Sequence, residues 1–236
     1  MKPLIIIPAR FESTRFPGKP LVDINGKSMI MHVVDKALTF CKDVYVATDD
    51  ERIYNHVRGF GANAIMTSRE HPSGTDRINE AFTKIQGNHN FNVVVNLQGD
   101  EPFIEPKQIE ELTEVFKNPE VQIATLAKLI DDKKEITDSN KVKVIFDING
   151  RSLYFSRSII PFNRDDYNGM YYRHVGIYAF KPEILKQICL LPQCELEKTE
   201  KLEQLRWLWN GYNIHVSVTK YETFSVDRPE DLKSIV

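Results

Sequence analysis

The sequence predicts an α/β fold: a mostly parallel, twisted sheet with helices on both faces, joined to a smaller α+β subdomain. Three observations predict it. Short apolar runs alternate with helix-spaced segments over residues 1–130, the pattern of βαβ units. Residues 91–98, Phe-Asn-Val-Val-Val-Asn-Leu-Gln, form an almost continuous apolar run, which suits a central parallel strand covered on both faces. At residues 131–135, Asp-Asp-Lys-Lys-Glu, the composition turns polar and the alternation stops, so a second subdomain is expected over 131–212 and a return to the first over 213–236.

The chain opens on an apolar strand, residues 4–7, which Pro8 is expected to end. A loop follows with three cations, Arg10, Arg15 and Lys19, set among Ser13, Thr14 and Pro17-Gly18. Apolar residues at 30, 33, 34, 37 and 38 then have helical spacing. Strand, cationic loop and helix open a nucleotide-binding α/β domain. The loop lacks the P-loop pattern, because Ser13 stands where that motif needs Gly and Pro20 where it needs Ser or Thr. Gly18 is its one glycine, so it is not the dinucleotide pattern either. A cradle without tight glycine turns must grip phosphates with side chains, and two guanidiniums and an ammonium suit that task. The same residues also read as an ordinary exposed basic loop.

Residues 43–48 read as the second strand, Asp49 and Asp50 as caps for a helix over 51–58, and 62–66 as the third strand. The polar stretch 67–77 leads into a helix over 76–85. Its Ser73-Gly74-Thr75-Asp76 is either capping material or a helix N-terminus facing phosphate or carbonyl oxygens. The central strand ends in Gly99-Asp100-Glu101-Pro102. Ligand crevices in such sheets lie off the carboxyl ends of strands, so Asp100 is placed either as a Mg²⁺-bearing carboxylate or as a turn residue.

A helix over 106–116 and a strand over 121–128 complete the alternation. Residues 141–147 and 151–155 read as a hairpin turned by Asn149-Gly150 with positive φ. Residues 171–180 form a strand on which His174, Gly176 and Tyr178 share a face. A helix over 197–210, capped by Gly211, gathers Glu203, Gln204, Trp207 and Leu208. By residue type alone, Glu203 fits a solvated helix face and His174 with Tyr178 a sheet surface. Residues 214–219 are the last strand, and Asp227 reads as the N-cap of a terminal helix.

A chain of 236 residues with net charge −2 lacks the basic excess of a nucleic-acid binder. Cys41, Cys189 and Cys194 are odd in number and lack metal-ligand spacing, which points to reduced thiols. The opening apolar run is too short for a signal peptide and no run approaches a membrane span, so a cytoplasmic protein is expected.

The phrase Ile-Pro-Ala-Arg-x-x-Ser-Thr-Arg-x-Pro-Gly-Lys-Pro-Leu at 7–21 resembles the signature of the bacterial 3-deoxy-manno-octulosonate (Kdo) cytidylyltransferase family. The resemblance continues through Ser-Gly-Thr-Asp-Arg at 73–77, Asn-x-Gln-Gly-Asp-Glu-Pro at 96–102, Arg-His-x-Gly-Ile-Tyr at 173–178 and Leu-Glu-Gln-Leu-Arg at 202–206. It implies a nucleotide-diphospho-sugar transferase-like fold and transfer of CMP from CTP to Kdo, with release of pyrophosphate, for lipopolysaccharide biosynthesis. It assigns Pro8, Ala9, Arg10, Arg15, Lys19, Ser73, Gly74, Thr75 and Arg77 to the nucleotide, and Asp100 and Asp227 to Mg²⁺. Lys19 and the two aspartates are thereby catalytic. Gln98, His174, Tyr178, Glu203 and Gln204 fall to the sugar acid, and Arg157 is the candidate partner for its carboxylate. Where the family usually has Val-Asp-Thr-Pro-Glu-Asp-Leu, this chain has Arg228 in place of the threonine and keeps the aspartate. The resemblance also implies a homodimer formed through residues 131–212. A sialic-acid-type or amino-octulosonate cytidylyltransferase is the alternative enzyme. A non-catalytic nucleotide sensor is the alternative of another class, and the second carboxylate at 227 speaks against it.

Overall fold

The computed structural model describes residues 1–12, 16–85, 87, 90–165, 167–222, 224–226 and 228–232. The chain folds as two compact units, Met1–Glu110 with Glu222–Val236, and Glu111–Tyr221.

The first unit begins with β1 (Pro3–Ala9), the two-residue strands β2 (Asp23–Ile24) and β3 (Lys27–Ser28), and α1 (Met29–Phe40). It continues with β4 (Val44–Thr48), α2 (Glu51–Gly59), β5 (Asn63–Met66), α3 (Gly74–Ile85) and β6 (Val93–Asn96), and α4 (Pro106–Glu114) runs across the boundary at Glu110. Its main strands run β6-β1-β4-β5, all parallel. Leu4–Ile7 and Val93–Val95 are buried at every position. Successive residues point to opposite faces, so both faces of these strands are covered, as their unbroken apolar runs require.

Pro8 does not end β1, which runs on to Ala9. Ile5 N–H donates to Asp43 O, on the β4 side, so by alternation the Pro8 nitrogen faces the β6 side. Pairing with β6 has already stopped at Ile6, and no donor is needed there.

The second unit holds β7 (Ile123–Leu129), α5 (Lys133–Thr137), β8 (Lys143–Phe146), β9 (Ser152–Ser156), β10 (Tyr172–Phe180), α6 (Pro182–Ile188), α7 (Glu195–Glu200), α8 (Gln204–Trp209) and β11 (Ile214–Thr219). β7 pairs parallel with β11 and antiparallel with β10; β8 pairs antiparallel with β10 and β9. This unit is wider than 131–212 because β7 and β11 are bonded to each other and, through β7, to β10. The chain then returns to the first unit and ends its described helices with α9 (Pro229–Leu232).

Three local expectations are corrected. Of the Asn149-Gly150 pair only Gly150 has positive φ (78°). Asp147 Oδ1 takes the N–H groups of Asn149 and Arg151, so the turn is built on an aspartate as well as a glycine. The helix expected over 197–210 is two helices, because Lys201 adopts a left-handed conformation (φ 54°, ψ 46°) between α7 and α8. On β10 the register slips between Val175 and Tyr178: Val175 faces Leu126 and Tyr178 faces Thr125. Four residues of straight strand would separate His174 and Tyr178 by about 13 Å; with the bulge their rings lie 5.4 Å apart.

Candidate active site

In the first unit the loops after β1, β4, β5 and β6 leave the same ends of parallel strands, and their polar residues are linked. Gly18 (φ 72°) starts the short 3₁₀ turn Lys19–Leu21, and its N–H donates to Phe11 O at 2.8 Å. That bond closes the base of the cationic loop. Ser13, Thr14 and Arg15 lie outside the described residues. Lys19 Nζ reaches Asp100 Oδ2 at 2.7 Å, across 81 residues of sequence, with the two side chains 14 % and 29 % exposed. The loop's ammonium and the carboxylate that follows β6 therefore meet.

Gly99, beside that aspartate, is a point of close approach. A Cβ there would stand 2.9 Å from Pro8 O and 3.3 Å from Ile30 Cδ1. A Cβ on Gly74 would stand 3.5 Å from Pro8 Cγ and 3.9 Å from Gln98 Oε1. Pro8, Gly74, Gln98 and Gly99 are thus neighbours. Gln98 Nε2 donates to Asn96 Oδ1 at 3.2 Å.

Arg10 is half-buried and donates through Nη2 to the carbonyls of His71 and of Ser73 (3.3 Å for the latter). Its pKa is lowered, first by burial and then by the nearby Arg77 charge. Arg77 is fully buried; Nη1 donates to Thr67 Oγ1 and Nη2 to Asp49 Oδ2, both at 2.6 Å. Ser73 Oγ accepts from Asp76 N–H at 3.1 Å and donates to Asp76 Oδ2 at 2.6 Å, so it caps α3. Thr75 is buried in the first turn of that helix, and Ala9 is buried at the end of β1. Asp50, not Asp49, caps α2, accepting from Arg52 N–H. Asp49 is instead the partner of Arg77.

The C-terminal segment is held against the same loops. Val226 is fully buried with Ile24 and Met29, and Phe16, Phe103 and Leu232 pack on them. Its N–H donates to Asp100 O at 3.0 Å. Asp227 lies outside the described residues.

The second unit gathers another cluster. Thr125 Oγ1 is 2.7 Å from Ile177 O, 3.1 Å from Val175 O and 2.9 Å from His174 Nε2, so one buried hydroxyl pins the β10 bulge. With its proton given to a carbonyl, this oxygen accepts from His174 Nε2–H. That assignment leaves Nδ1 as an acceptor. Burial lowers the His174 pKa to about 3, so the ring is neutral near pH 7. Tyr178 packs between His174 and Trp207, at 5.4 and 5.1 Å. Burial, and then Glu203, raise its pKa well above the ordinary 10. Its hydroxyl and Gln204 Nε2 are buried without a hydrogen-bond partner among the described residues. An orphaned buried polar atom costs about 1–3 kcal/mol, so each is a group that a ligand could satisfy. Arg157 donates from Nε to Glu200 O (2.8 Å) and from Nη1 to Ser139 O (3.1 Å).

Sequence reasoning missed Asp49 and Thr67, which hold Arg77, and Thr125, which sets His174. Hydroxyls and acids at strand ends are common, and only the fold pairs them. It also missed Glu80, which binds Ser68 N–H (2.9 Å), Lys84 (2.6 Å) and the His71 ring, and so steadies the loop whose His71 carbonyl takes Arg10.

The sequence profile of the cytidylyltransferases matches residues 4–218. The chain belongs to the cytidylyltransferase family. It is 50 % identical over 242 residues to the 3-deoxy-manno-octulosonate cytidylyltransferase of Bacteroides thetaiotaomicron, covering 99 % of this chain and 96 % of that one. It is 47 % identical over 237 residues to the 8-amino-3,8-dideoxy-manno-octulosonate cytidylyltransferase of Shewanella halifaxensis, with 99 % and 96 % covered. A solved CMP:2-keto-3-deoxy-manno-octonic acid synthetase complexed with CTP superposes with a TM-score of 0.94 at 41 % identity, covering 100 % of this chain and 97 % of that chain. A cytidylyltransferase from Leptospira borgpetersenii, at 17 % identity and TM-score 0.64, shares the fold, with 100 % and 85 % covered. The α/β architecture of this cytidylyltransferase is therefore that of the nucleotide-diphospho-sugar transferases.

Proposed function

We infer that this cytidylyltransferase activates Kdo with CTP, forming CMP-Kdo and pyrophosphate for lipopolysaccharide biosynthesis. The anomeric hydroxyl of the sugar acid attacks the α-phosphorus of CTP, the α–β phosphoanhydride bond breaks, and pyrophosphate leaves. The chemistry needs alignment and charge neutralisation more than covalent help from the protein. The observation that carries the reading is the Lys19–Asp100 contact: the cation of the signature loop and the acid after the central strand occupy one place.

Asp100 fits a hard cation. Its carboxylate is partly exposed at a strand end and already holds a positive group at 2.7 Å. The Val226–Asp100 backbone bond supports Asp227 as a second carboxylate there. Mg²⁺ bound by these acids would neutralise phosphate charge and lower the pKa of the attacking hydroxyl. Lys19, Arg10 and Arg15 hold the triphosphate and stabilise the departing pyrophosphate. Pro8, Ala9, Ser73, Gly74 and Thr75 shape the backbone around the nucleotide. Arg77, buried on Asp49 and Thr67, keeps two of its loops in place.

Residues 131–212 are assigned to the sugar acid, and residues 1–130 with 213–236 to the nucleotide. Neutral His174, with an acceptor at Nδ1, takes a sugar hydroxyl rather than the carboxylate. Tyr178, Glu203 and Gln204 serve further hydroxyls, and Arg157 the carboxylate. We place the enzyme in the cytoplasm as a homodimer. Three free cysteines support the first, and no helix among the described residues is long and apolar enough to cross a membrane. Exposed Phe162, Tyr167 and Met170 in the second unit support the second.

The test measures pyrophosphate release with each common nucleoside triphosphate, with and without Kdo. Release with CTP and Kdo together is expected. Release that ignores the sugar acid, or none with this pair, refutes the reading. The 47 % identical Shewanella relative makes 8-amino-3,8-dideoxy-manno-octulosonate the second candidate acid, and faster turnover with it would replace Kdo.

A further inference from the structure

Lys143 and Glu200 have no part in the chemistry above, yet both act on Arg157. The Lys143 side chain is fully buried on β8. Its ammonium donates to three backbone carbonyls, Asp138 O (2.8 Å), Lys141 O (2.6 Å) and Arg157 O (2.7 Å), which uses every proton it has. Glu200 ends α7. Its Oε1 accepts from Ser156 Oγ (2.6 Å), its Oε2 from Arg157 N–H (3.0 Å), and its carbonyl from Arg157 Nε (2.8 Å). Ser139 O, on the stretch that Lys143 ties down, takes Arg157 Nη1 at 3.1 Å.

Arg157 is therefore held at its own carbonyl, its own N–H, its Nε and one Nη. Among the described residues only two of its five side-chain N–H groups are committed, so a guanidinium edge remains for a ligand. An unanchored arginine gives up about 2 kcal/mol of rotamer entropy when it is fixed. Here the folded chain bears that cost before any ligand arrives. A buried ammonium spent wholly on neutral carbonyls is an expensive way to close a turn, since among the described residues no carboxylate touches it to offset its desolvation. The expense is accounted for if the aim is the residue being held.

We propose that Lys143 and Glu200 are positioning residues: they fix Arg157 so that its remaining N–H groups receive the carboxylate of the sugar acid, and so set affinity for that acid but not for the nucleotide. The proposal rests on Arg157 as the carboxylate partner, and the test separates the two ideas. Steady-state kinetics on the full chain vary Kdo at saturating CTP, and CTP at saturating Kdo.

Glu200→Gln, which keeps the shape and loses the charge, is expected to raise KM for Kdo about tenfold, the size of one lost charge-assisted bond, while kcat and the CTP KM stay within about twofold. Lys143→Met is expected to act in the same direction; where it fails to fold, Glu200→Gln decides alone. Arg157→Ala should raise KM for Kdo by itself, and adding Glu200→Gln to it should change nothing further, because the clamp then has nothing to hold. An unchanged KM for Kdo in Glu200→Gln, equal rises for both substrates, or multiplying effects in the double variant would each overturn the proposal. If Arg157→Ala leaves KM for Kdo unchanged, the carboxylate assignment falls first and the clamp with it. If Arg157→Ala raises it and Glu200→Gln does not, only the clamp falls.

Discussion

Gly99→Ala tests how closely the ends of β1 and β6 must approach. The added Cβ would stand 2.9 Å from Pro8 O and 3.3 Å from Ile30 Cδ1. Carbon-to-oxygen contacts settle at about 3.3–3.6 Å, so roughly half an ångström must be found. Backbone supplies the tighter contact, and no flexible side chain can yield it. Overpacking of this kind costs about 1–3 kcal/mol, or about 2–12 °C in Tm for a chain of this size. The displaced residues are Gln98 and Asp100 on one side and Pro8 on the other. Misplacement by about 1 Å costs about a hundredfold in rate, so half of that should cost about tenfold in kcat/KM. The assay is pyrophosphate release under saturating Kdo, with a thermal melt alongside. A variant with parental kcat/KM and Tm would show that this approach does not hold the site together, and would refute the reasoning.

Asp100→Ala should lower turnover by roughly four orders of magnitude if the aspartate holds the cation that stabilises the reacting charge, and near-normal pyrophosphate release would remove it from the mechanism. Lys19→Ala should raise the CTP KM; unchanged CTP kinetics would refute its place on the triphosphate. For Glu80, burial alone would raise the pKa, but Lys84, the Ser68 N–H and His71 outweigh it and hold the carboxyl at about 2, against an ordinary 4.5. A depressed folded pKa gives stability that is present above pH 4.5 and lost as pH falls towards about 2. Glu80→Gln should therefore melt lower than the parent at neutral pH, with the gap closing in acid; a gap independent of pH would contradict this. His174, lowered to about 3, should stay neutral through the range where an exposed imidazole titrates, and ¹⁵N NMR that finds it protonating near 6.5 would refute its buried Thr125-bonded state.

The parts of the fold legible in the sequence were those specified by local pattern. Consecutive apolar residues at 4–7 and 93–95 declared strands buried on both faces, and position at a strand end singled out Asp100. Features set by distant partners were not legible. The family resemblance assigns Arg77 to the nucleotide, and nothing near it in sequence reveals the Asp49 partner that its guanidinium meets in the fold. Residues 197–210 carry a continuous helical pattern, and the left-handed turn at Lys201 is imposed against it; there Glu200 binds Ser156 and Arg157, more than forty residues earlier. The β10 bulge was equally hidden, because Thr125, which pins it, is some fifty residues away.

Half-buried Arg10 and fully buried Arg77 in the first unit show two ways in which the fold carries charge. Arg77 has a carboxylate partner, so its charge is neutralised within the chain. Among the described residues Arg10 hydrogen-bonds only to the neutral carbonyls of His71 and Ser73, which fix its direction without pairing its charge. Burial is the first cause of the lowered Arg10 pKa; the Arg77 charge adds to it, and the Asp49 and Asp76 carboxylates partly oppose it. On the proposed reading a polyphosphate would pair the Arg10 charge, and because Arg10 is already held, little further ordering would be needed when it arrives. Lys19 is poised differently. It is paired with Asp100, so on the proposed reading a triphosphate and a metal ion would exchange that pairing for ammonium with phosphate and carboxylate with metal. Neither exchange would leave a charge stranded, the condition under which a partly buried ion pair can open without a large desolvation cost.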